Sequence, residues 1–199
     1  MIDNNRYTQT AAILHWLVAV LIIVNVGLIW TVDYLPEAWG RPVIDTHKSI
    51  GITVLGLGLL RILWRAAHAP PPLPDTYARW ERLGAKAAHI VLYGLIFCLP
   101  LSGWIHDSAW KDAATHPMRL FGTLPWPRIG AIATLPADTK ETLHTVFRNI
   151  HTALAYVLYG LVVLHIGGAL KHQFFDKERE LQRILPWGGG RKNPGAHSQ

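Results

Sequence analysis

Eleven histidines occur in 199 residues, and five of them, His15, His47, His89, His151 and His165, fall within long apolar runs or close to their ends. An imidazole in such surroundings either makes an interhelical hydrogen bond or ligates a metal, and the arrangement of the set decides between the two. His151 and His165 lie in "NIHTALAYVLYGLVVLHIGGAL", a stretch without a charged side chain. At about 100° per residue, fourteen steps return to within roughly 40° of the starting direction, with a rise of about 21 Å. The two rings therefore share one helix face at widely separated depths. They cannot share one ion, so each needs partners from elsewhere in the chain.

Half of the residues are apolar, and windows of roughly 20 apolar residues, enough to cross a bilayer as a helix, occur at about 10–32, 46–64, 84–105 and 146–170. The sequence predicts an all-α membrane four-helix bundle as a single domain over 1–186, with a glycine-rich flexible tail over 187–199. The first run is followed by bulky "LIWTVDYLPEAW", not by a small-residue cleavage site, and reads as a retained span. Prolines 70, 71, 72 and 74 end the second span and stiffen the connector after it. Trp30, Trp64 and Trp104 fall at span ends, as expected of interfacial aromatics.

Charge gives the orientation. With the N-terminus, the loop between spans two and three and the tail on one side, that side holds 12 of the 19 Lys and Arg and 6 of the 13 acidic residues; the other holds 7 and 7. The net charges are +6 and 0, so both termini are expected in the cytoplasm. The basic excess is then a topology signal and lipid-headgroup contact, and no nucleic-acid partner is called for. Under this topology His15, on the ascending first span, lies at the depth of His165 on the descending fourth. His47, at the outer end of the second span, lies at the depth of His151. Four histidines resolve into two pairs, one per leaflet.

Two facing imidazoles fall short of the three or four ligands that zinc takes, and a transported cation favours carboxylates, which the four span cores lack. Haem iron brings four nitrogens of its own and needs two axial ligands. The pairs thus predict two haems b, with His15 and His165 ligating the inner iron and His47 and His151 the outer. Cys98 is the only cysteine and no C-x-x-C-H occurs, which excludes covalent attachment through that motif and any intramolecular disulfide. Gly27, Gly51, Gly56, Gly58, Gly94, Gly160, Gly167 and Gly168 offer room either for a macrocycle or for close helix packing. Arg61, Arg65, Lys171 and His172 are candidate propionate or quinone contacts on the inner side, with Lys48 and Arg148 on the outer. His89 and His172 are candidates for the border of a quinone pocket.

"LHWLVAVLI" around His15, "RPVIDTHKSIGI" around His47, "LYGLIFCLPLSGW" in the third span and "NIHTALAYVLYGLVVLHIGGALKHQFF" in the fourth resemble the bacterial cytochrome b561 family over most of residues 6–186. The resemblance implies four membrane helices, two bis-histidine haems b on the same four residues, and electron exchange with quinone. One family member is described as a superoxide:quinone oxidoreductase, which makes superoxide a candidate for the periplasmic one-electron partner. The long outer loop, about 106–145, with Arg119, Arg128 and Lys140, reads as either a partner or substrate surface or an amphipathic cap on the bundle. A cytochrome b subunit serving a separate dehydrogenase or reductase is the alternative, a homo-oligomer is compatible with either, and a histidine-based metal or proton transporter is a third reading.

Overall fold

The computed structural model describes residues 6–74 and 76–187. The tail expected to be flexible lies, from residue 188 on, outside the described residues. Four long helices dominate: α1 (Gln9–Thr31), α2 (Glu37–Ala67), α3 (Arg79–Ser108) and α5 (Ala137–Phe174). All four are long and apolar enough to cross a membrane. Between α3 and α5 come a hairpin of β1 (Arg119–Leu120) and β2 (Leu124–Pro125) and the short α4 (Gly130–Ala133), and α6 (Glu180–Ile184) follows α5.

Local chemistry sets the helix ends. Thr8 caps α1 by accepting from the Ala11 N–H at 3.3 Å, and Glu81 Oε2 reaches back to the Ala78 N–H at 2.9 Å at the start of α3. α2 stops at Ala67, ahead of the proline run. Two helices outrun the apolar windows. Residues 37–45, expected as loop, form the first turns of α2 behind Pro36, supported by an Arg41–Asp45 ion pair at 3.2 Å across one turn. α5 likewise begins at Ala137, with Asp138 in its first turn, where a carboxylate suits the helix dipole. Hydropathy marks the buried length of a helix and misses turns that project into water.

The chain ascends in α1, descends in α2, ascends in α3 and descends in α5. Both ends of the described chain meet at one end of the bundle, where the Tyr7 N–H donates to the Arg183 carbonyl at 3.1 Å. This is the tail end; the hairpin and α4 mark the opposite, loop end. Val18, Ile50, Val54 and Ile96 form the apolar centre of α1, α2 and α3. There Gly58 lies so close to α3 that an added Cβ would sit 2.5 Å from Ile96 Cγ2, the helix-packing role of a small residue. α5 is different. It packs along α3 and α6 but makes no comparable backbone approach to α1 or α2, and Leu158 is the sole buried residue of its length.

Candidate functional site: two histidine pairs

The helices that stand apart are the ones that carry the facing histidines. His47 on α2 and His151 on α5 have ring centres 6.2 Å apart with planes at 81°. His15 on α1 and His165 on α5 are 6.3 Å apart at 68°. Taking about 2.0 Å for a metal–imidazole bond and about 1.1 Å from ring nitrogen to ring centre, two imidazoles trans on one metal have centres roughly 6.2 Å apart. Both spacings match. α5 makes no close backbone approach to α1 or α2 along these levels. A Cβ at Gly27, Gly56, Gly94, Gly160, Gly167 or Gly168 would meet nothing within 4 Å. The residues fit a bis-histidine porphyrin at each level.

The loop-end rings are held in register by main-chain carbonyls. His47 Nδ1 lies 3.3 Å from the Asn25 carbonyl oxygen, and His151 Nδ1 lies 3.0 Å from that of Leu99. A carbonyl only accepts, so each Nδ1 carries the proton and Nε2 keeps the lone pair a metal needs. Ser102 Oγ is 3.1 Å from the same His151 nitrogen and donates to Leu99 O at 2.8 Å. One residue on, Gly103 leaves room for the ring: a Cβ there would be 3.2 Å from His151 Cε1. At the tail end, His89 of α3 stands edge-on to His165 with centres 5.2 Å apart and bonds Ala85 O at 2.7 Å.

The remaining candidates are distributed as follows. Arg61 and Arg65 lie over the Tyr93 ring at 5.1 and 5.8 Å, beside the tail-end pair. Lys171 is held by Glu81 at 2.6 Å and Asp176 at 2.7 Å, and His172 by Asp176 at 2.6 Å and by stacking on Tyr77 at 3.9 Å. Lys171 places its ammonium against the carboxylates of Glu81 and Asp176, which with His172 form the one cluster of three metal-type ligands among the described residues. Among the described residues, no third such side chain joins either histidine pair in a cluster of that kind. Arg148 is exposed near His151. Lys48 is engaged by Asp107 at 2.7 Å and Asp45 at 3.2 Å.

Three features had no signal in the sequence. Buried Asp107 accepts from both Lys48 and Arg128, at 2.7 and 2.8 Å, and Arg128 also reaches the carbonyls of Ala113 and His116. This pins the loop over the loop-end pair and takes Arg128 out of the free basic surface. The hairpin docks beside it, its Phe121 N–H donating to buried Ser49 Oγ at 2.9 Å. His106 and His144 stack at 3.9 Å, each ring bonded to the other's carbonyl at 2.9 and 3.0 Å.

The family model for prokaryotic cytochrome b561 matches residues 6–187. The chain is 36% identical over 184 residues to "Cytochrome b561 homolog 2" of Escherichia coli (strain K12), covering 90% of this chain and 91% of that protein. It is 23% identical to "Cytochrome b561 homolog 1" of the same organism, over 92% and 98% of the two chains. To "Probable superoxide oxidase CybB" of Yersinia pestis it is 25% identical, over 92% and 97%. The family carries b-type haem and serves electron transfer, chemistry that facing imidazoles between membrane helices suit. The chain belongs to the prokaryotic cytochrome b561 family.

Proposed function

We propose that this membrane cytochrome b is a di-haem conduit that exchanges electrons between a periplasmic one-electron partner and membrane quinone. The observation that carries the reading is the pair of facing imidazoles at each of two levels, 6.2 and 6.3 Å between centres, on helices that otherwise stand apart. His47 and His151 would hold one haem b toward the loop end, and His15 and His165 a second toward the tail end. Bound there, haem supplies one-electron carriage.

The chain's own residues do the rest. The Asn25 and Leu99 carbonyls fix the loop-end tautomers, and the Asp107 latch holds the loop over that level. The charge count supports a tail end in the cytoplasm and a loop end in the periplasm, and the prokaryotic family supports a multi-pass protein of the bacterial inner membrane. Arg61, Arg65 and His89 then flank the tail-end level, where a quinone would approach from the bilayer. Superoxide is the favoured outer partner because the Yersinia pestis relative is named a probable superoxide oxidase. Exposed Arg148 and Arg119 lie at the end that would attract such an anion.

Stopped-flow mixing of the purified haem-loaded protein with superoxide, with quinone present, tests the partner. Haem reduction and quinol formation above the spontaneous rate are expected. Reduction no faster than background removes superoxide as the donor.

A further inference from the structure

The two histidine pairs have different surroundings. At the loop end both rings give their Nδ1–H to a main-chain carbonyl, His47 to Asn25 and His151 to Leu99. At the tail end, His15 Nδ1 is buried without a hydrogen-bond partner among the described residues, and no hydrogen bond between described residues involves the His165 ring. A ring whose N–H is drawn toward a carbonyl becomes a more basic ligand through its other nitrogen. A more basic ligand favours the oxidised, more highly charged iron and lowers its potential.

Fixed charge acts in the same direction. The Arg61 guanidinium is close enough to act electrostatically on His15, His89 and His165, and it has no ion pair with a carboxylate among the described residues. It stacks instead on Tyr93. A cation without a counter-charge, half-buried among apolar helices, favours the reduced iron. At the loop end, Lys48 next to His47 meets Asp107 and Asp45, which also pair with Arg128 and Arg41, so the cations there share two carboxylates where Arg61 has none among the described residues.

We infer that the His47–His151 level holds the lower-potential iron and the His15–His165 level the higher, because only the former's ligands donate to main-chain carbonyls. The inference rests on the di-haem reading above and adds a direction to it. With haem held at both levels, an electron shared between them would rest at the tail end, one oxidation at the loop-end level balancing one reduction at the tail-end level, with no bond broken and no proton moved. The periplasmic one-electron reductant is the source and quinone the acceptor, so the loop end is the entry and the tail end the exit.

A redox titration of the purified two-haem protein, followed at the α-bands, tests this. Two one-electron waves are expected, the tail-end site binding the electron at least tenfold more strongly, or about 59 mV apart. His151→Ala, which leaves only the tail-end site, assigns the upper wave. A second assignment needs no variant: in sealed vesicles with a tagged C-terminus facing inward, an impermeant lanthanide complex added outside broadens the ferric EPR signal of the loop-end haem only. Arg61→Gln should lower the upper wave and leave the lower one in place. Two haems with coincident waves, or with the loop-end wave higher, overturn the inference and leave the di-haem reading standing. Fewer than two haems defeats both.

Discussion

His47 and His151, on α2 and α5, face each other across a gap that their helices do not close, with ring centres 6.2 Å apart. His15 and His165 repeat the relationship at the other level. If each pair grips one porphyrin, the four histidines must behave as two units. His151→Ala and His47→Ala should each remove about one haem of two, and the double variant no more than either alone. His15→Ala and His165→Ala should do the same for the other haem. Haem-to-protein ratio after purification is the measurement, and loss of both haems from each folded single variant would show that the levels are not separate.

Gly103 is where α3 makes room for His151. A Cβ would fall 3.2 Å from Cε1 and 3.3 Å from Nδ1 of that ring, tighter than a packed interior tolerates without shifting, at a cost of about 1–3 kcal/mol. Gly103→Ala should therefore weaken haem retention at the loop-end level and leave the tail-end level loaded. Spectra recorded during a haem-competition assay separate the two, and equal loss from both levels would count against this role.

Asp107 is a buried carboxylate serving two cations. Asp107→Asn leaves Lys48 and Arg128 facing each other without the charge that holds them, and breaking a buried pair in this way costs about 3–5 kcal/mol. A lower Tm in detergent and faster proteolysis within 109–136 are expected. Unchanged melting and protection would show that the loop is held by the Ser49 and Ser108 contacts alone.

Beyond α5, the hydrogen bond from Lys171, and then that from His172, holds the Asp176 carboxyl below the usual carboxylate range. A depressed folded-state pKa contributes stability above the ordinary Asp value of about 3.9, and that contribution is lost as pH falls through the lower folded value. Wild type and Asp176→Asn should differ in Tm at neutral pH and converge only well below pH 4 or so. Thermal melts across pH check this. A difference that persists undiminished into strong acid would contradict it.

The sequence was most legible where physics leaves few choices. Bilayer thickness fixes the spans, and charge asymmetry together with helix direction puts His15 at the depth of His165 and His47 at that of His151. The helical turns at 37–45 were missed because they lie outside the apolar windows, and those at 137–145 had only the weak capping-box-like pattern of Asp138 and Glu141 to announce them. Lys48, a candidate propionate contact in the sequence, and Arg128, a basic residue of the outer loop, are tied down by Asp107. Residue 107 lies 59 positions from Lys48 and 21 from Arg128, and no local pattern announces a contact that a folded loop makes. The carbonyls of Asn25 and Leu99 are equally silent in a sequence, since every residue has one.

The central claim is that each facing pair takes one haem b. Pyridine haemochrome quantification against protein concentration, with a dithionite-reduced minus oxidised spectrum, tests it directly. The account predicts close to two haems b per chain, with the spectrum of six-coordinate bis-histidine iron; a folded, fully loaded protein with one haem or none would contradict it.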